Sequence, residues 1–66
     1  MSKAEFIEML RINYKRSLLS KRETANELNI SQATVDRLRK TGAISSRKVG
    51  GGIYFTLDEI ASFVYD

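Results

Sequence analysis

The sequence predicts a single, mainly α-helical domain over residues 1–66 with one small β-hairpin, in the order helix, helix, helix, strand, strand, helix. Three observations support this fold class. Four hydroxyl residues stand where helix N-caps are expected, the apolar spacing becomes strand-like after Gly42, and three consecutive glycines interrupt the strand-like stretch. We divide the domain into an extra N-terminal helix, residues 1–17, and a core, residues 18–66.

The first helix is predicted to run from about Lys3 to Lys15. It begins with a capping box, Ser2-Lys3-Ala4-Glu5, in which the hydroxyl and the carboxylate each satisfy a free backbone N–H group. Apolar side chains spaced three and four residues apart form one face, made of Phe6, Ile7, Leu10 and Tyr14. Two interpretations of this face stay open: it packs on the other helices of the domain, or it contacts another protein.

The next two helices are short and closely joined. A second capping box, Ser20-Lys21-Arg22-Glu23, starts a helix over residues 21–28. Ser31 caps a third helix, which begins at Gln32 and ends at Lys40 or Thr41 because the following glycine favours a left-handed C-cap.

A hairpin and a closing helix complete the chain. Residues 44–49 and 53–55 are β-compatible runs on either side of Gly50-Gly51-Gly52, and glycine accepts the positive φ that a tight reversal needs. A third capping box, Thr56-Leu57-Asp58-Glu59, begins a last helix that ends near Val64. The aromatic residues of this region are assigned to the core: Tyr54, Phe55 and Phe63.

Composition excludes several kinds of function. The chain has no Cys and no His, so we expect no disulfide, no metal site and no His-dependent catalysis. No apolar run is long enough to span a membrane, and the N-terminus lacks the features of a signal peptide, so a soluble cytoplasmic protein is expected. The carboxylates form no paired acid–base site, so we expect no enzymatic activity. We also expect no cofactor and no small-molecule ligand.

Positive charge is concentrated in the middle of the chain. The formal net charge is +3, with +4 in residues 21–48 and −3 in residues 49–66. A polyanion is therefore expected to bind the middle segment, while the C-terminal segment faces away from it. A mildly basic, solvated surface without a partner is the alternative.

The second and third helices have the residue pattern of a helix-turn-helix motif. Ala25 is small where the two helices must approach closely, and Asn29 occupies the turn, where it tolerates a left-handed backbone. Ile30 fills the turn from the inside. Two apolar positions on the second helix complete the pattern, Val35 and Leu38.

The segment KRETANELNISQATVDRLRKTGAI resembles the helix-turn-helix of small excisionase-type and MerR-like DNA-binding proteins. The following RKVGGGIYFTLDEIASFV resembles their glycine-tipped wing and closing helix. The resemblance covers about Leu18 to Val64 and leaves out residues 1–17. It implies a winged helix-turn-helix that binds double-stranded DNA, in a bacterium, phage or plasmid, as an excisionase-like recombination directionality factor or a small transcription regulator. An integrase or a second copy of the chain are the protein partners it suggests.

The second helix of such a motif enters the major groove, and this placement predicts three groups of DNA contacts. Base reading is assigned to Gln32, Ala33, Thr34 and Arg37. Contacts to the DNA backbone are assigned to Lys21, Arg22, Ser31, Arg39 and Lys40. The wing contributes Arg47, Lys48, Gly50, Gly51 and Gly52.

Asp36 is an acidic residue on the face that would meet DNA, and it leaves an alternative function open. Helical spacing predicts an ion pair with Arg39 or Lys40 rather than a contact to cytosine. An acid on the reading face and the modest net charge are also compatible with a protein-interaction module that does not bind DNA. Such a module would bind its partner through residues 4–14.

Overall fold

The computed structural model describes all of residues 1–66 and contains four helices and three strands. In chain order these are α1 Lys3–Tyr14, β1 Leu18–Ser20, α2 Lys21–Leu28, α3 Gln32–Thr41, β2 Arg47–Val49, β3 Gly52–Thr56 and α4 Leu57–Tyr65. The predicted fold class, mainly helical with a β-hairpin in a winged helix-turn-helix arrangement, is confirmed. No helix is both long enough and apolar enough to cross a membrane.

All four predicted N-caps are present. The capping boxes at the starts of α1, α2 and α4 are complete, because the cap hydroxyl accepts from a backbone N–H and the glutamate three residues later accepts from the cap N–H. Ser31 caps α3 by accepting from the backbone N–H of Thr34 at 3.1 Å. Each cap contributes about 0.5–2 kcal/mol, so local sequence strongly determines where these helices begin.

Left-handed residues end the first three helices. Asn29 ends α2 with φ 59° and Gly42 ends α3 with φ 83°, as predicted. Lys15 ends α1 with φ 55°, which the sequence did not signal because lysine is uncommon in this conformation.

The sheet differs from the predicted hairpin in two respects. β1 adds a third strand, and the strand order is β1-β3-β2 with both pairs antiparallel. Three residues are too few to show the alternating pattern of a strand in the sequence. The conformation of β1 is determined by its pairing with β3. The run predicted over residues 44–49 is a strand only from Arg47, since Ile44 is buried and its N–H donates to Leu38 O at the end of α3.

The apolar face of α1 packs within the domain. Phe6 and Leu10 are buried in the core, and Ile7 and Tyr14 are partly buried against it. The Tyr14 hydroxyl also donates to Glu27 Oε1 of α2 at 2.9 Å. The structure thus shows the first of the two interpretations of this face. Burial keeps Phe6 and Leu10 from a partner, whereas Ile7 and Tyr14 stay partly exposed, so a contact of α1 with another protein remains a prediction.

The core lies between the helices and one face of the sheet. Phe55 of β3 and Ile60 of α4 are fully buried at its centre, and α1 and α4 pack side by side over it. The buried apolar residues are Phe6, Leu10, Leu19, Ala25, Val35, Ile44, Phe55, Leu57, Ile60 and Ala61. This packing leaves α3 and the β2–β3 hairpin at the surface.

Candidate nucleic-acid interface

The turn between α2 and α3 fixes the direction of α3. Asn29 is left-handed, and the N–H of Ile30 donates to Ala25 O at 3.0 Å, which closes the end of α2. Ala25 and Val35 are buried where the two helices meet, and Ile30 packs against the core. The helix-turn-helix motif, residues 21–41, therefore presents the opposite face of α3 to solvent.

The side chains assigned to base reading lie within the first six residues of α3. Gln32, Ala33 and Arg37 are exposed, and Arg37 has no carboxylate within ion-pairing distance. Thr34 is half-buried, and its hydroxyl oxygen lies 2.8 Å from the hydroxyl oxygen of Ser31. Three of the four residues thus have free side chains, whereas Thr34 is already engaged by the helix cap.

Four of the eleven basic side chains form no ion pair. The seven others each lie within 4.0 Å of a carboxylate. The four free ones are Lys15, Arg22, Arg37 and Lys48, and all of them are exposed. Three of these belong to α2, α3 and β2, so the helix-turn-helix motif and the wing hold most of the unneutralised positive charge.

Asp36 binds three cations at once. Its carboxylate lies 2.6 Å from Arg39 Nη2, 3.1 Å from Lys40 Nζ and 3.2 Å from Lys21 Nζ. The predicted pairing within α3 is confirmed, and the bond to Lys21 additionally links α3 to the start of α2. Hydrogen bonds from Arg39, Lys40 and Lys21, in that order of effect, hold the pKa of Asp36 well below its usual range.

The wing is a tight hairpin with a two-residue turn. Gly50 and Gly51 have φ 56° and 86°, the pair of positive values that a type I′ turn requires, while Gly52 already belongs to β3. Lys48 projects freely from β2. The guanidinium of Arg47, in contrast, is drawn toward α4, where its Nε lies 3.1 Å from Glu59 Oε2.

Tyr54 is not a core residue, contrary to the prediction. Its neighbours Ile53 and Phe55 pack into the core, so the alternation of β3 turns Tyr54 to the other face of the sheet. There its ring lies across Gly52, close enough that a Cβ on Gly52 would meet Tyr54 Cε2 at 2.8 Å. Phe55 and Phe63, in contrast, pack in or against the core as predicted.

An open cleft separates the wing from the helix-turn-helix motif, and Tyr54 lines it. Lys21, Arg22 and Gln32 line the side of the motif, and Gly51 lines the side of the wing. The cleft therefore brings together residues predicted for base reading, backbone contact and the wing. Strand alternation was the sequence signal that could have added Tyr54 to this set.

Most of the carboxylates act as helix caps or ion-pair partners. Glu23 and Glu59 each complete a capping box and also bind an arginine, Arg16 and Arg47 respectively. No three acidic side chains gather in an arrangement that could hold a metal ion.

Comparison with known protein families agrees with this geometry. A family model described as helix-turn-helix domain matches residues 18–64, which begins at β1 and ends within α4. The chain shows no significant match to a curated protein or to a solved structure. Since the matched segment covers well over half of the chain and has the winged helix-turn-helix fold, the chain belongs to the excisionase-type family of helix-turn-helix domains, which are DNA-binding domains.

Proposed function

We propose that this protein binds double-stranded DNA in a sequence-specific manner. In this proposal it acts without catalysis, as an excisionase-like recombination directionality factor or as a small transcription regulator. The observation that carries the proposal is the position of the unpaired cations Arg22, Arg37 and Lys48, which lie on the two helices of the motif and on the wing. Unneutralised cations on such a surface are what phosphate binding requires.

Helix α3 reads base edges in the major groove. Gln32 can form a bidentate hydrogen-bond pair with adenine, and Arg37 can do so with guanine. Both side chains are exposed and unpaired, so neither needs to break a contact first. Ala33 offers a methyl group to thymine. The Thr34 hydroxyl shares one hydrogen bond with that of Ser31 and keeps acceptor capacity for a base edge.

The DNA backbone lies on either side of α3. Arg22 and the capped start of α3 at Ser31 bind phosphates on one side, where free N–H groups favour an anion. Lys48 binds a phosphate beside the wing, and the Tyr54 hydroxyl donates to a phosphate in the cleft. The turn at Gly50-Gly51 carries no side chains and can therefore approach a narrow groove closely.

The remaining predicted contacts need ion pairs to be exchanged. Lys21, Arg39 and Lys40 are held by Asp36, and Arg47 is held by Glu59. These cations contribute less to DNA affinity than their number suggests, because each must leave a carboxylate to meet a phosphate.

Useful specificity requires a second binding event. One helix-turn-helix reads only a few base pairs, so we propose that the protein acts as several copies or together with an integrase. The arrangement of the binding sites distinguishes these cases. Direct repeats favour an excisionase that loads side by side, and an inverted repeat favours a symmetric regulator.

The proposal is tested by selecting preferred sites from a random-sequence duplex library, after measuring affinity by fluorescence anisotropy at about 50 and 200 mM salt. We expect affinity to fall steeply with salt, because counterion release drives phosphate binding, and we expect an enriched sequence. Absence of binding at the lower salt concentration would refute the DNA-binding assignment. Binding without an enriched sequence would refute sequence specificity.

A further inference from the structure

We propose that Asp36 restrains the affinity of the protein for DNA of any sequence. It does so by occupying three cations that would otherwise bind phosphates. This inference rests on the proposed DNA-binding function and names a residue that restrains it.

The geometry shows that both carboxylate oxygens of Asp36 are engaged. Oδ1 accepts from Arg39 Nη2 at 2.6 Å and from Arg39 Nε at 3.2 Å, and it lies 3.2 Å from Lys21 Nζ. Oδ2 lies 3.1 Å from Lys40 Nζ. One carboxylate thus takes the place that a phosphate group would occupy among these three side chains.

The position of Asp36 makes it a competitor of DNA rather than a remote ion-pair partner. It lies one helical turn after Gln32 and next to Arg37 on α3, and its side chain remains 25% exposed. Lys21 reaches it from the start of α2, at the edge of the cleft beside the wing. A phosphate that approached these cations would meet a negative charge among them.

This arrangement weakens the part of DNA binding that is independent of sequence. Affinity for arbitrary DNA depends on the number of phosphates that the protein neutralises. A cation that is held by Asp36 does not neutralise a phosphate. Contacts of Gln32 and Arg37 to bases do not depend on those cations. Asp36 therefore weakens the phosphate contacts that specific and non-specific complexes share, and leaves base reading unchanged.

The test compares Asp36→Asn with the wild type on a random-sequence duplex over a range of salt concentrations. Release of the cations should raise affinity about five- to tenfold at about 0.1 M salt, the effect of one further neutralised phosphate, and should steepen the log–log salt slope by about 0.9. Affinity for the selected site should rise by a similar factor, because its complex uses the same phosphate contacts, so the ratio of specific to non-specific affinity should stay the same.

Glu8→Gln is the matched control. It also removes one negative charge and frees one arginine, because Glu8 Oε2 lies 2.6 Å from Arg11 Nη1, but the pair lies on the surface of α1, which the motif does not include. We expect this variant to change non-specific affinity less than twofold. A similar gain in both variants would overturn the inference, since net charge alone would then explain it.

A purely structural role of Asp36 predicts the opposite result. If the link between Lys21 and Asp36 only holds α2 against α3, loss of the carboxylate should lower the melting temperature and weaken DNA binding. Should Asp36→Asn be unfolded at the assay temperature, Asp36→Ala, which has a higher helix propensity, makes the same comparison.

The possible results distinguish a failure of the inference about Asp36 from a failure of the proposed DNA-binding function. If the wild type binds DNA and a folded Asp36 variant binds it equally or less tightly, the inference is overturned and the proposed function stands. Binding by the variant where the wild type binds weakly or not at all supports it. No binding by either protein at low salt overturns both.

Discussion

Replacing Arg37 with alanine should weaken binding to the preferred DNA site without changing the stability of the fold. The Arg37 side chain is exposed, lies outside the core and has no carboxylate partner. The free energy of unfolding should therefore change by less than about 0.5 kcal/mol. Loss of a bidentate contact to guanine should cost about 1–3 kcal/mol of binding free energy, which corresponds to about a 5- to 150-fold loss of affinity.

The assay is fluorescence anisotropy with two duplexes, the selected site and the same site with its most strongly selected G·C pair replaced. The wild type should discriminate between them, and Arg37→Ala should discriminate much less. Arg11→Ala is the matched control, because Arg11 is also an exposed arginine, and its surface ion pair on α1 contributes little. We expect it to bind both duplexes as the wild type does.

Two results would refute the placement of α3. Unchanged affinity and discrimination in Arg37→Ala would show that this side chain does not read a base. An equal loss in Arg11→Ala would show that general charge, rather than the face of α3, sets the affinity. A large drop in melting temperature for Arg37→Ala would contradict the exposed position described above.

Three further predictions concern stability. Thr24→Val should stabilise the domain by about 1 kcal/mol and raise the melting temperature by about 4–8 °C. The reason is that Thr24 is fully buried and its hydroxyl has no hydrogen-bond partner. A lower melting temperature would show that the hydroxyl does have a hydrogen-bond partner. Gly51→Ala should cost about 1–2 kcal/mol in thermal denaturation because its φ is +86°, although nothing lies within 4 Å of the added Cβ. An unchanged melting temperature would contradict the turn geometry. Hydrogen bonds to the charged carboxylates lower the pKa of Glu5 and Asp66 from 4.5 and 3.8. The stability that these two carboxylates contribute should be complete above those values and be lost as pH falls below them. A melting temperature that stays constant from pH 6 down to about pH 2.5 would contradict this.

The sequence predicted best those features that depend on neighbouring residues. Capping boxes join residues three apart, so the starts of α1, α2 and α4 could be read directly, and the glycine pair in the wing predicted its own turn. The strand β1 could not be read in this way. It consists of three residues, and its conformation is determined by pairing with β3, which lies more than thirty residues later in the chain.

The interface was predictable as a set of residue types but not as a set of free side chains. Spacing predicted that Asp36 would pair within α3, yet the contact to Lys21 depends on how α2 packs against α3. Similarly, only the tertiary structure shows that Arg47 is held by Glu59. The position of Tyr54 in the cleft follows from the alternation along β3, whereas its aromatic character alone favours the core.

The proposed DNA-binding surface consists of α3 and the wing, and an NMR titration of the 66-residue protein with a short duplex would map it residue by residue. Backbone amide shifts should change along residues 31–40, in the wing at residues 47–52 and near Arg22, while α1 and the C-terminal half of α4 stay unchanged. Changes concentrated in residues 4–14, with α3 unaffected, would refute a DNA-binding surface on α3 and the wing.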